Sequence, residues 1–284
     1  MKEVFEHIPQ NNNNSFVYRY FCLPQFNGNY HYHSELELTY IESSNGKRFV
    51  GSNISEYTKG DLVLIGSNVP HCWKSNVPAE PDMNYAKAKV LQFSSDIFDT
   101  NNSKIPELNF LKKIFQKSNS GLLIKGNSRT EIVKKMNFEN TKNPFQNFIT
   151  LLEILYLIAQ SNETELIDNQ FSVLGFTHKE TDRFKNVFSY IVENYTTDIT
   201  LIKLAELAHL TPTSFCRYFK QVTHKKPFDI IMELRIEHAC NLLKKSEKSI
   251  SDVCFESGFG NLSHFNKVFK KSTNLTPFQY RQMF

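Results

Sequence analysis

LAELAHLTPTSFCRYFKQVTHKKPF (204–228) and VCFESGFGNLSHFNKVFKKSTNLTPF (253–278) are two versions of one pattern. With Phe219 set on Phe269, Phe215 meets Phe265, Lys220 meets Lys270, Thr223 meets Thr273, and Pro227-Phe228 meets Pro277-Phe278. One extra residue falls in the turn of the second copy, around Gly258. A repeat of about 50 residues, with two short helices in each copy, marks a duplicated module rather than a propeller or a long solenoid. Each copy reads as helix, tight turn, helix.

The local chemistry supports that reading. Leu201, Leu204, Ala205 and Ala208 recur at helical spacing and give one apolar face. Thr211-Pro212 then opens a second helix, because Thr accepts from free N–H groups and Pro fits the first helical position. Phe215, Tyr218 and Phe219 face inward, which leaves Thr213, Ser214, Cys216, Arg217 and Lys220 on or near the open face. In the second copy Ile250, Val253, Cys254 and Phe255 form the first apolar face. Gly258 frees the turn, Asn261 caps, and Phe265, Val268 and Phe269 point in. Leu262, Ser263, His264, Asn266 and Lys267 are left outside.

This region resembles the AraC family of bacterial transcription regulators. The residues that carry the resemblance are RIEHACNLLKKSEKSISDVCFESGFGNLSHFNKVFKKSTNLTPFQYR, Arg235 to Arg281, and it extends over roughly residues 183–284. It implies two helix-turn-helix units on a linking helix, reading double-stranded DNA. Base contacts then fall to Thr213, Cys216, Arg217, Leu262, Ser263, Asn266 and Lys267, and phosphate contacts to Lys220, Lys225, Lys270 and Lys271. The family usually carries Gly after each recognition helix. Here His224 and Asn274 stand there, residue types that tolerate a left-handed helix stop. Packed amphipathic helices alone would be ordinary core, but matching caps, Phe-Lys pairs and Pro-Phe ends in both copies argue for the DNA-binding reading.

Charge points the same way. The chain carries 33 Lys+Arg and 29 Asp+Glu, of which 15 and 9 lie from Arg183 onward. The C-terminal third is therefore basic on a nearly neutral remainder, the footprint of phosphate contact. At 284 residues, two domains are expected. Cys22, Cys72, Cys216, Cys240 and Cys254 form no CxxC pair, which suits reduced thiols in a cytoplasm. The N-terminal MKEVFEHIPQNNNN lacks an apolar signal core, and the apolar run 149–159 is too short to span a membrane.

The N-terminal half reads as strands at 16–21, 36–41, 47–51, 61–66 and 88–93, with turns at Asn27-Gly28, Asn45-Gly46 and 59–61. Many short strands suggest a small barrel or jelly roll. GNYHYHSELEL (28–38) and GDLVLIGSNVPH (60–71) resemble the two motifs of the cupin fold, which implies His31, His33, Glu37 and His71 as metal ligands. Strand alternation puts His31, His33 and Glu37 on one face, and Pro70-His71 closes the later strand. Three readings stand for the four: a divalent-metal site, a metal-free pocket for a small polar ligand, or a structural hydrogen-bond cluster. No cofactor is required by the sequence. Tyr30, Tyr32, Tyr40 and Trp73 suit either a ligand or the core.

Residues 105–118 and 143–160 read as helices. The latter carries a broad stripe of Phe148, Leu151, Leu152, Leu155 and Ile158, and the resemblance implies dimerisation there. The expected fold is α+β: a cupin-like β-barrel (jelly roll) at 1–100, a helical dimerisation segment at 101–160, a linker at 161–182, and an all-α double helix-turn-helix at 183–284. The expected protein is no enzyme but a cytoplasmic transcription regulator that answers a small-molecule effector, is homodimeric, and has RNA polymerase as a further candidate partner. The alternatives are a metal-dependent cupin enzyme, dioxygenase or isomerase, with a DNA-binding appendage, and a helical interaction protein that does not bind DNA.

Overall fold

The computed structural model describes residues 15–28, 30–76, 86–98, 105–138, 143–168, 178–223 and 225–283. His224 lies outside them. The chain divides into two compact units, Met1–Thr177 and His178–Phe284.

The first unit holds strands β1 (Phe16–Leu23), β2 (Leu36–Ser43), β3 (Gly46–Val50), β4 (Asn53–Tyr57), β5 (Leu62–Ile65), β6 (His71–Ser75), β7 (Ala86–Phe93), β8 (Leu122–Ile124) and β9 (Thr164–Leu166). Its helices are α1 (Asn109–Ser118), α2 (Gly126–Lys135) and α3 (Pro144–Gln160), with short 3-10 turns at Ser95–Phe98 and Pro106–Leu108. Six strands form one sheet in the order β1-β7-β2-β5-β8-β9, and three form another in the order β4-β3-β6. Period-two alternation gives the large sheet two different faces. Leu36, Leu38, Leu62, Leu64, Leu91 and Phe93 pack with Leu111, Ile114, Leu151, Ile154, Leu155 and Ile158 of α1 and α3. The intervening Glu37, Thr39, Ile41, Ala88, Val90 and Gln92 line a cavity on the other face.

The closed cupin-like barrel or jelly roll expected from the sequence does not form. Among the described residues both sheets are open. Closure would require each terminal strand to find a hydrogen-bonded partner. Instead, the outer edge of β5 is taken by β8, supplied from beyond α1, and β9 then ends the sheet with only three residues. At β6, the neighbouring segment contributes only the isolated bridges Asn27–Lys74 and His31–His71. The first unit is thus an α+β assembly of two open sheets with helices packed on one face. The strands at β4, β6, β8 and β9 and helix α2 go beyond those read from the sequence. The stretch 161–182 contains β9 and the start of the next helix.

The second unit is all helical: α4 (His178–Asn194), α5 (Leu201–Leu207), α6 (Pro212–Thr223), α7 (Pro227–Lys245), α8 (Ile250–Glu256), α9 (Leu262–Thr273) and α10 (Pro277–Arg281). The repeat seen in the sequence recurs atom by atom. Thr200 and Ser249 cap α5 and α8 by accepting from the N–H groups of Lys203 and Asp252. Thr211 and Asn261 do the same for Ser214 and His264. After α5 the N–H of Leu210 bonds to the carbonyl of Ala205, and after α8 that of Phe259 bonds to Cys254. Thr223 Oγ1 donates to Phe219 O and Thr273 Oγ1 to Phe269 O. The linking helix α7 buries Ile231, Leu234, Ile236, Ala239 and Leu243, the side read from its spacing.

The two turns solve the same left-handed requirement differently. His209 sits at φ 52° and Gly258, its counterpart, at φ 86°. A Cβ at Gly258 would lie 2.7 Å from Thr196 Cα. Gly258→Ala is therefore expected to lower stability by about 1–3 kcal/mol, whereas His209→Gly should stay within about 0.5 kcal/mol of the wild type. Urea denaturation followed by far-ultraviolet dichroism checks both. Equal losses would show that local crowding at Gly258 is not the constraint.

Candidate functional site

Two separate sets of side chains carry chemistry. The first lies on α6 and α9. Phe215 and Phe219 are buried inside α6, and Phe265 and Phe269 inside α9. That orientation exposes Thr213, Arg217 and Lys220 on α6 and leaves Cys216 half-buried. On α9 it exposes Leu262, Ser263, Asn266, Lys267, Lys270 and Lys271. Lys225, also exposed, is paired with Glu233 at 2.8 Å. Asn274 takes the left-handed conformation at φ 61° and returns its N–H to Lys270, so α9 stops without a Gly.

The second set lies where side chains of the two sheets meet. The candidate ligand atoms of His31, His33, Glu37 and His71 all fall within 4.8 Å of one another, a grouping that could coordinate one metal ion. His31 and His33 do not share a strand with Glu37. A bend at Ser34 and Glu35 precedes β2, and His71 opens β6 instead of ending β5. Reciprocal backbone hydrogen bonds between His31 and His71, 3.1 and 2.8 Å, bring these two together. His33 Nε2 is 3.1 Å from Glu37 Oε2, and His71 Nε2 is 3.5 Å from Glu37 Oε1.

Two partners were not visible as a site in the sequence. The register of β2 and β7 sets Gln92 directly opposite Glu37, and its amide nitrogen donates to Glu37 Oε2 at 2.9 Å. Thr39 Oγ1 donates to Oε1 at 2.6 Å. Thr39 was readable only as the next residue on the same strand face. Gln92 lies 55 residues from Glu37, and no local pattern announces it. Tyr30 and Tyr32 are core, whereas Trp73 joins the cavity wall.

Burial alone would raise the Glu37 pKa. The charge of His71 and the hydrogen bonds from His33 and His71 outweigh it and hold the carboxyl well below its usual range. Burial would lower His33, but the hydrogen bond and charge of Glu37, with Glu35, leave it raised. Next to this cluster is a cavity of about 220 Å³. His31, Glu37, Thr39 and Gln92 give it a polar floor. Phe21, Phe26, Ile41, Trp73 and Val90 contribute to largely apolar walls.

Residues 204–283 match the family described as helix-turn-helix domain. The chain is 32% identical over 104 residues to YdeC, a helix-turn-helix-type transcriptional regulator of Bacillus subtilis; this is 37% of this chain and 36% of YdeC. It is 22% identical over 258 residues to the transcriptional activator RhaR of Mannheimia succiniciproducens, covering 89% of this chain and 87% of that protein. Among solved structures, the C-terminal domain of the response regulator yesN of Fusobacterium nucleatum aligns at 30% identity and TM-score 0.32, over 34% of this chain and 93% of that one. The similarity is to transcription regulators. No helix among the described residues is long and apolar enough to cross a membrane.

The depressed Glu37 and raised His33 set a pH window. Stability from Glu37 is present above the unfolded carboxyl value and lost as pH falls through the folded one. Stability from His33 is complete below its unfolded value and lost as pH rises through the folded one. Both hold together from about pH 5 to about 6.5. In chelator-containing buffer, the stability advantage of wild type over Glu37→Gln should peak in that window, as read by urea melts at stepped pH. A pH-independent difference would show that the pair is not ionised.

Proposed function

We propose that this chain is a transcription regulator of the AraC type, which binds DNA sequence-specifically and is controlled by a small molecule in the cavity beside the histidine cluster. The observation that carries the DNA reading is the duplicated helix-turn-helix, with matching caps, matching buried Phe pairs and a polar open face on each second helix. In this reading α6 and α9 enter successive major grooves. The 19 residues of α7 span about 28 Å at about 1.5 Å per residue, and adjacent grooves on one face lie about 34 Å apart. Thr213, Cys216 and Arg217 read bases from α6, and Leu262, Ser263, Asn266 and Lys267 from α9. Lys220, Lys225, Lys270 and Lys271 meet phosphates, Lys225 by exchanging its Glu233 partner.

Sensing falls to residues 1–100, dimerisation to 101–160, connection to 161–182 and DNA binding to 183–284. On α3, Phe145 and Tyr156 are exposed, with Ile149 and Leu152 half-buried along the same stripe, which supports a homodimer through residues 143–160. RNA polymerase is the partner through which bound regulator would act.

A two-residue turn offers a route from the signal site to the connecting segment. Tyr30, next to His31, donates its hydroxyl to Gly51 O, and Gly51 N donates to Pro70 O, next to His71. Ser52 donates its N–H and its hydroxyl to Asp168 Oδ2 at 2.9 and 2.7 Å. Asp168 stands ten residues ahead of His178, the first residue of the second unit.

Arg217→Ala should cost about 1–3 kcal/mol of operator affinity and relax preference at one or two base pairs. Replacing Lys220, Lys270 or Lys271 with Ala should weaken all sequences alike and reduce the salt slope by about one unit, with a smaller change for Lys225. Gel shifts at several salt concentrations and a footprint test this. A footprint shorter than one helical turn would sink the two-groove arrangement. Asp168→Ala should leave effector binding, found by thermal shift, unchanged while reducing the effector's influence on operator affinity. An unaltered response would remove the turn from the route.

A further inference from the structure

We infer that the cavity beside Glu37 takes a compact, neutral, apolar molecule bearing a hydroxyl group, and that Thr39 and Gln92 read the hydroxyl by accepting its hydrogen. This ligand class rests on the reading of the cavity as the signal site. The direction of the hydrogen bonds in the polar floor selects it. Thr39 Oγ1 donates to Glu37 Oε1 at 2.6 Å, and the Gln92 amide nitrogen donates to Oε2 at 2.9 Å. His33 Nε2 and His71 Nε2 reach the same carboxylate at 3.1 and 3.5 Å. A carboxylate only accepts, so all four bonds run toward Glu37.

What remains for a ligand is acceptors. A hydroxyl has one hydrogen, and that of Thr39 is spent on Glu37, so Oγ1 offers only lone pairs to anything else. The bond from the Gln92 amide nitrogen fixes which end of the amide is oxygen. That oxygen, Oε1, is buried and has no hydrogen-bond partner among the described residues. A buried acceptor left unpaired costs free energy that a donor recovers. Gln92 and Thr39 both line the cavity, and the soft last torsion of a Gln side chain lets Oε1 turn to a head group there.

Charge narrows the class. An anionic head at this floor meets the Glu37 carboxylate and two acceptors. A cationic head finds the charge of Glu37 already met by His33 and His71, with Arg19 lining the same cavity. Val90 pairs with Thr39 on one side and with Arg19 on the other, so Arg19 stands two strands from Thr39, roughly 9.5 Å away by strand spacing, beside the body of a ligand and not its head. Phe21, Phe26, Ile41 and Trp73 wall that body. The cavity holds about 220 Å³, and an apolar cavity of about 150 Å³ takes benzene, so one ring with a short alkyl arm and a hydroxyl fits.

The test titrates the full chain in chelator-containing buffer, so that the head group meets side chains and not an ion. Trp73 is the only tryptophan of the chain and lines the cavity, so its fluorescence, excited at the red edge, reports occupancy. The compounds are para-ethylphenol, para-ethyltoluene, which has the same shape without the hydroxyl, and para-ethylbenzoate, which is anionic. Para-ethylphenol should bind about tenfold tighter than either, because only it supplies the missing donor. It should also bind about tenfold tighter than phenol, which lacks the two carbons that meet the walls. Thr39→Val and Gln92→Met remove the acceptors at similar bulk and should shrink the preference for para-ethylphenol over para-ethyltoluene, with unchanged far-ultraviolet dichroism. The order of the compounds on wild type decides the matter even if these variants fail to fold. Para-ethyltoluene binding as tightly as para-ethylphenol would overturn the acceptor floor. Para-ethylbenzoate binding as tightly would overturn the neutral class and move the head to Arg19. No change in Trp73 fluorescence with any compound would overturn the inference entirely. Gel shifts report the regulator reading separately. DNA binding by a protein that takes none of the compounds sinks only this inference, and a filled cavity that leaves operator affinity unchanged sinks the signal reading while the ligand class stands.

Discussion

Phe215 and Phe219 in α6, with Phe265 and Phe269 in α9, fix which way the second helix of each repeat faces. All four are fully buried, and each contributes on the order of 1.5–3 kcal/mol by leaving water. A helix has only one face to give to a core. Once two aromatic rings one turn apart occupy it, Thr213 and Arg217 on one helix and Ser263, Asn266 and Lys267 on the other are turned outward. The second unit's surface chemistry is thus a consequence of its packing. The caps and left-handed turns then set the angle at which each pair of helices meets.

In the first unit the governing constraint is different. A carboxylate is buried at the meeting of two sheets and must be compensated. Glu37 receives a hydroxyl from Thr39, an amide from Gln92 and imidazoles from His33, just before it in sequence, and from His71 on β6. The same strand alternation that sends Leu36 and Leu38 to the helical layer sends Glu37 and Thr39 to the cavity side. One sheet therefore separates a dry, structural face from a polar, chemically capable one. The open edges cost nothing to this arrangement, because the cluster depends on two strands and a bend, not on a closed cylinder.

The helical unit was legible because its constraints are local. Spacing gave the inward residues of α7, and cap residues gave the starts of α5, α6, α8 and α9. The site residues His31, His33, Glu37 and His71 were also legible as a set, but through a resemblance whose closed barrel the structure does not contain. They converge by another route: a bend after His33 and a pair of backbone hydrogen bonds between His31 and His71. Strands β4, β8 and β9 gave little signal because they are short or half-exposed, and hydrogen-bond pairing rather than hydropathy makes them strands.

By itself, then, the sequence determined the duplicated helix-turn-helix, its buried aromatic pairs and its basic open faces, because each follows from interactions a few residues apart. Only the tertiary structure decided that β8 takes the edge of β5 and keeps the sheets open. It alone placed Gln92 across from Glu37 and Asp168 against Ser52. Those are pairings between strands and loops 55 or more residues apart. They are set by register and sheet order, which no single stretch of sequence encodes.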